Sequence, residues 1–266
     1  MADQPEDLRD PSELDPHSIA YQVLTGTARG MRTGRRVLGR IPSGPRCKLC
    51  NSPFRGPFFP LMRVIGKAPW PKNPRYCSMC FRELVSHRGG AEIECALLFA
   101  DVRGSTTLAE SMRPTEFNTL MDRFFTLASR VLVEHDAIVD KFVGDEVIGI
   151  FIPALTGELH ARRAIDAGQA LLRATGREGI DLPIGVGVNS GTAYVGTVGS
   201  GDNVELSAMG DRVNVTARLA SAASAGELLV TAEAARTAQL EVAGLERRSL
   251  ALKGKSEETQ VLVLRV

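Results

Sequence analysis

No run of about 18 uncharged apolar residues occurs in the 266-residue chain, so no membrane-spanning helix is expected. The N-terminus, MADQPEDLRDPSELD, is acidic where a secretory signal would be basic and then apolar, which predicts a cytoplasmic protein. Internal repeats and low-complexity tracts are lacking too, which sets aside solenoids and arrays. Net charge is nearly absent, at +1, but the balance is uneven along the chain. Residues 1–16 carry six acids against one base, and residues 29–90 carry fourteen Lys and Arg against Glu83 alone. Such a basic stretch suits phosphate, nucleic acid, an anionic membrane surface or an acidic partner, and equally a solvated face. What is present is ordinary for a folded protein, with 44% hydrophobic and 24% charged residues.

Cysteine is scarce, and four of the five form two CxxC pairs, Cys47–Cys50 and Cys77–Cys80, with 26 residues between them. In a reducing compartment this pattern predicts a metal site rather than a disulfide framework. Four thiolates suit a tetrahedral structural Zn²⁺, while an iron site and a redox dithiol pair stay open as other readings. Cys95 lies in an apolar run and reads as a core thiol. Residues 1–45, rich in Asp, Pro, Gly and Arg, read as disordered tail and linker with one helix-compatible stretch at 17–24. Residues 46–90 are Pro-rich and poor in apolar periodicity, a small module that needs a staple to fold.

From residue 91 to 266 the pattern is regular. Residues 95–100 are a continuous apolar run, read as a buried strand, and 114–134 place Phe117, Leu120, Met121, Phe124, Leu127, Ala128, Val131 and Leu132 at helical spacing. Strand-like runs at 138–143 and 147–151 flank Gly144-Asp145, a tight hairpin. A helix at 158–175 and a strand at 182–188 follow. This order predicts an α+β fold with a ferredoxin-like βαββαβ core. The remainder supplies a Gly-rich strand region at 190–198, a helix at 211–221, and strands at 228–231, 247–252 and 259–266.

Asp101 and Asp145 each stand at the tip of a strand-like run, and such a sheet sets those tips side by side. Two unpaired carboxylates so close repel, and divalent cations relieve this. Arg103-Gly104-Ser105-Thr106 is a small-residue turn whose backbone N–H groups can approach a polyphosphate. Asn214 and Arg218, spaced i, i+4, share one helix face. Taken together, FADVRGST, KFVGD and MGDRVNVTAR resemble the three signature segments of the class III nucleotidyl cyclases, over roughly residues 91–266. The resemblance implies two Mg²⁺ or Mn²⁺ ions per site on Asp101 and Asp145, with Val102 beside them. It implies purine reading by Lys141 and Ser207, ribose orientation by Asn214, and transition-state stabilisation by Arg218. Gly104, Ser105, Thr106 and Lys253 (or its neighbour Lys255) would bind the triphosphate.

One departure concerns the base. Ser207 stands where many adenylyl cyclases have Asp, and a hydroxyl can accept from an adenine amino group or donate to guanine O6. Lys141 suits adenine N1, an acceptor, so the favoured substrate is ATP. The expected reaction is metal-assisted attack of the ribose 3′-oxygen on the α-phosphorus, yielding 3′,5′-cyclic AMP and pyrophosphate. The expected unit is a homodimer with the metal pair and the base-plus-arginine set divided across a two-fold interface. A guanylate cyclase, a diguanylate cyclase and a non-catalytic nucleotide-binding module are the competing readings.

Overall fold

The apolar run at 95–100 lacks alternation because both of its faces are buried, each in a different core. The computed structural model describes residues 18–41, 43–71, 73–86, 90–180, 182–200, 203–252 and 258–266. Its N-terminal part holds α1 (Ile19–Thr25), α2 (Arg29–Leu38), α3 (Phe59–Val64), β1 (Pro69–Trp70), β2 (Asn73–Cys77) and α4 (Ser78–Ser86). The ferredoxin-like core follows as β3 (Gly90–Val102), α5 (Ser105–Ser111), α6 (Pro114–Glu134), β4 (Ile138–Val143), β5 (Glu146–Phe151), α7 (Pro153–Thr156), α8 (His160–Arg177) and β6 (Ile184–Ser200). Appended to it are β7 (Asn203–Met209), α9 (Asp211–Ala222), β8 (Glu227–Thr231), α10 (Ala232–Thr237), β9 (Glu246–Leu250) and β10 (Thr259–Arg265).

The main sheet runs β4-β5-β3-β6-β8-β10-β9, with β7 paired to β6. Its first four strands have the ferredoxin order, and β8 extends it parallel to β6. Along β3, Ala96, Leu98, Ala100 and Val102 face a core made with Phe124, Leu127 and Leu132 of α6 and Ala161, Ala164 and Ile165 of α8. Ile93, Cys95, Leu97 and Phe99 face the other way, as the period of two requires, and meet Ile148 and Ile150 of β5. Val23, Leu24, Leu49, Phe54 and Tyr76 complete this second core. Each fully buried Leu, Ile or Phe contributes about 1.5–3 kcal/mol, so the N-terminal part is tied to the sheet by apolar burial.

Within the segment read as tail and linker, α1 falls on the helix-compatible stretch at 17–24 and α2 is a second helix. Ser18 caps α1 by accepting from the Tyr21 N–H at 3.2 Å, and Gly26 ends it at φ +76°. In α2, Met31 and Leu38 turn toward the second core while Arg29, Arg32 and Arg36 are exposed. The apolar face is too narrow to register as a helical repeat in so Arg-rich a composition. The expected strands at 182–188 and 190–198 are one strand, β6; its hairpin partner β7, and the helix α10 after β8, were not anticipated. The acidic run at 1–16, Lys253 and Lys255 lie outside the described residues. Among the described residues, no helix is long and apolar enough to cross a membrane.

Candidate active site

Asp101 sits one residue before the end of β3, opposite Glu146 at the start of β5, and Asp145 precedes Glu146 in the hairpin turn. Val143 pairs with Glu146, leaving Gly144-Asp145 as a two-residue loop, and Gly144 takes φ +64° at its first position, where a side chain would be strained. Arg103 forms an ion pair with Asp101 and donates from Nη1 to the Ser221 carbonyl at 2.6 Å. Burial and the neighbouring Asp145 push the Glu146 carboxyl up to about 7, against the opposing pull of Arg103. Burial also lowers the Arg103 guanidinium, with Asp145 and Glu146 acting the other way. Among the described residues, Asp101, Asp145 and Glu146 gather around Arg103, an excess of acidic groups that fits hard divalent ions. Gly104 follows at φ +68°, and Ser105 and Thr106 open α5. Glu146 and the Arg103 ion pair were not found from the sequence; the Asp-Glu step after Gly144 was their signal.

A second group lies on β4 and β7. Lys141 is exposed, and its Nζ lies 3.9 Å from Asp140 Oδ2. The same oxygen accepts from Ser207 Oγ at 2.7 Å. The structure therefore brings Lys141 and Ser207 together through Asp140, a residue the sequence reading passed over. Phe142, Val143 and Met209, the chain neighbours of this group, are large exposed hydrophobics.

Asn214 and Arg218 ride on α9, which lies directly against β6. Gly185 and Gly187 allow that approach: a Cβ on Gly187 would come within 2.6 Å of the Ala220 nitrogen, and one on Gly185 within 2.7 Å of the Ala223 oxygen. With Thr216, Leu219 and Ala220 buried, Asn214 is left exposed and Arg218 half-buried. At the other end of α9, Arg212 pairs with Glu233 at 2.6 Å, and Asn189 Nδ2 donates to the Arg212 carbonyl at 3.4 Å. Among the described residues, no hydrogen bond or ion pair joins Asn214 or Arg218 to the acidic group or to Lys141 and Ser207.

Residues 90–265 match the family described as adenylate and guanylate cyclase catalytic domain. The chain belongs to this family. The adenylate cyclase of Anabaena cylindrica is 32% identical over 132 residues, 46% of this chain and 26% of that protein. Adenylate cyclase 1 of Rhizobium meliloti is 31% identical over 136 residues, 47% of this chain and 20% of that one. The chain spans about a quarter of the length of these relatives. The adenylyl cyclase CyaB from P. aeruginosa superposes with a TM-score of 0.59 at 27% identity, covering 66% of this chain and 95% of that one. The guanylyl cyclase Cya2 does so with a TM-score of 0.60 at 26% identity, covering 66% and 93%. These neighbours divide between two bases, so base choice rests on the site itself.

Beside the cyclase domain, Cys47, Cys50, Cys77 and Cys80 are buried, and their Sγ atoms lie within 4.8 Å of one another, a cluster that could hold a metal ion. Cys50 and Cys77 Sγ are 3.9 Å apart, close to the edge of about 3.8 Å in a tetrahedron with Zn–S bonds of about 2.3 Å. Hydrogen bonds from Cys47, then Cys77 and Cys80, lower the Cys50 thiol, and Cys77 falls to about 7, chiefly through Cys47, while Cys47 and Cys80 are pushed up, first through Cys50 and Cys47 respectively. Ionised sulfur is the form a metal takes. Burial pushes Cys95 up to about 12 in the second core. From the cysteine module, Arg75 and Lys48 clasp the buried Asp136 at 3.0 and 3.3 Å, and Asn73 Nδ2 donates to the Ala137 carbonyl at 3.0 Å. These contacts grip the root of β4, the strand that carries Lys141.

Proposed function

We propose that this chain is an adenylate cyclase that converts ATP to 3′,5′-cyclic AMP and pyrophosphate, acting as a cytoplasmic homodimer in second-messenger signalling. Residues 91–266 form its catalytic unit and 46–90 a zinc-stapled module. The observation that carries the reading is the acidic group at the β3 and hairpin tips, three carboxylates against Arg103, within a cyclase domain. Asp101 and Asp145 would hold two Mg²⁺ or Mn²⁺ ions, with the backbone of Val102 alongside. Divalent ions there supply Lewis acidity toward the ribose 3′-hydroxyl and the triphosphate.

The other roles follow from chemistry. Gly104, Ser105 and Thr106 stand next to the acidic group for the phosphates, with Lys253 in the same role. Lys141 donates to adenine N1, and Ser207 faces the 6-position. Asn214 holds the ribose so that the 3′-oxygen lies in line with the α-phosphorus, which makes the step unimolecular. Arg218 offers a planar pair of donors where charge builds on the phosphoryl oxygens. Among the described residues, neither Asn214 nor Arg218 is hydrogen-bonded or ion-paired to the acidic group, and this, together with exposed Phe142, Val143 and Met209, supports a site shared by two copies. Four buried thiols in tetrahedral reach support zinc and a reducing compartment.

Product analysis with each NTP and Mn²⁺ or Mg²⁺, for wild type, Asp101→Ala and Asp145→Ala, tests the reading. Cyclic AMP from wild type and a loss of at least about a hundredfold in each folded variant are expected. Cyclic GMP as the main product would make this a guanylate cyclase, and no cyclic product with either base would make it a non-catalytic binding module.

A further inference from the structure

Asp140 and Lys141 sit at an irregularity in the β4–β5 ladder. Val139 pairs with Gly149 and Phe142 with Val147, so three steps along β4 span two along β5. That is one extra residue, a β-bulge, and bulges re-aim side chains next to functional sites. In an unbroken strand consecutive residues face opposite sides of the sheet. Here Asp140 Oδ2 lies 3.9 Å from its neighbour's Nζ and 2.7 Å from Ser207 Oγ on β7. The Asp140 side chain is 2% exposed and that of Lys141 is 43% exposed, so the acid lies beneath the ammonium.

The direction of the Ser207 hydrogen bond carries the argument. A hydroxyl owns one proton and two lone pairs, whereas an ionised carboxylate only accepts. Ser207 therefore spends its proton on Asp140 and meets any further group as an acceptor. Lys141, an ammonium, can only donate. Ser207 is 2% exposed and the Lys141 side chain 43%, both at Asp140 Oδ2, so a purine edge that reaches the pair meets an acceptor and a donor. Adenine offers the complement, a donating 6-amino group and an accepting N1. Guanine and hypoxanthine offer the reverse, an accepting 6-oxo group and a donating N1–H.

We infer that Asp140 is a specificity-positioning residue: by taking the Ser207 proton it sets the Ser207–Lys141 pair to read adenine and reject 6-oxopurines. The inference rests on the proposed base-reading role of Lys141 and Ser207. A serine at this position is ambivalent when considered alone, and the buried acid beneath it removes the ambivalence. A hydrogen-bonding site left with mispaired groups discriminates strongly.

The test measures kcat and KM for ATP, GTP and ITP with Mn²⁺ in wild type, D140N, S207A and the double variant, with thermal melting as the check of folding. ITP differs from ATP in the 1,6 edge and lacks the 2-amino group of GTP, so the ATP:ITP ratio of kcat/KM isolates this contact. Wild type should favour ATP over ITP by about a hundredfold. The amide introduced by D140N keeps the shape of the carboxylate but can donate to Ser207, which frees the hydroxyl proton. D140N should lower the ratio about tenfold, chiefly through KM, with unchanged melting. S207A should lower it as well, and D140N should add little in the S207A background, as expected for residues acting through one contact. A ratio that falls in S207A but not in D140N overturns the role of Asp140 and leaves the base reading intact. A ratio unmoved in S207A overturns the base reading itself, and the inference with it. Should D140N fail to melt cooperatively, a wild-type ATP:ITP ratio near or below one still overturns the inference.

Discussion

Gly187→Ala is the smallest change that should separate the fold from the chemistry. A Cβ at Gly187 would lie 2.6 Å from the Ala220 nitrogen, 2.7 Å from Leu219 Cβ and 2.8 Å from the Thr216 oxygen. All three belong to the α9 backbone or to a Cβ, so no rotamer change relieves the clash. Restoring an ordinary contact of 3.4 Å from 2.6 Å moves α9 off β6 by about 0.8 Å. Overpacking of this kind costs about 1–3 kcal/mol. In a domain of this size each kcal/mol lowers Tm by about 2–4 °C, so a fall of about 2–12 °C is expected. Because Asn214 and Arg218 travel with α9, kcat should fall about 10- to 100-fold, the loss that a displacement near 1 Å brings to a positioned group. KM should change less, since Lys141 and Ser207 stand on β4 and β7. Gly176→Ala, where an added Cβ meets nothing within 4 Å, is the control and should leave both unchanged. Wild-type Tm and kcat in Gly187→Ala would refute the close-approach argument. A lower Tm with unchanged kcat would detach α9 from the chemistry.

Three further outcomes are expected. Mixing inactive Asp145→Ala with inactive Arg218→Ala subunits should recover about a quarter of wild-type activity, because random pairing makes about half the dimers mixed, each with one intact site; no recovery despite subunit exchange would place a whole site in each chain. Metal analysis of protein purified without added metal should find about one zinc per chain, and its removal should speed amide exchange around β2 and the Arg75–Asp136 clasp; a coloured iron protein, or unchanged exchange, would count against zinc. Glu227 accepts from Arg248 at 3.1 Å twice and from Arg265 at 2.8 Å, and these contacts, Arg248 first, hold its carboxyl down to about 2 from an ordinary 4.5. A depressed carboxyl stabilises above the unfolded value and loses that contribution as pH falls from about 4.5 toward 2, so Tm should drop across this window more steeply in wild type than in Glu227→Gln, and parallel curves would refute the linkage.

The core strands and α6 were legible in the sequence because strong apolar patterns dictate them. The run at 95–100 read as a buried strand because it is continuously apolar, and in the fold each of its faces meets a different core. Asp101, Asp145, Asn214 and Arg218 stood out in the sequence because each sits in a dense local motif whose spacing matches one strand tip or one helix face. α1 falls on the helix-compatible stretch at 17–24, whereas α2 escaped because its apolar face is narrow and its composition is that of a linker. β7 escaped because NVELSAM alternates weakly and follows a strand already long enough to end.

Asp140 escaped for a different reason. Its neighbour Lys141 drew attention as a charge in a motif, and period-two reasoning sends the residue before it to the opposite face of the sheet. A single extra residue against β5 cancels that rule locally, and nothing in the side chains at 139–142 announces it. Ser207 is 67 positions away in sequence, so their contact follows from the pairing of β7 with β6 and the packing of that hairpin against β4. The chemistry of a hydroxyl is decided by what its proton meets. Reading Ser207 as donor or acceptor therefore required the register of two hairpins, a long-range property, whereas reading Asp101 and Asp145 required only local turns.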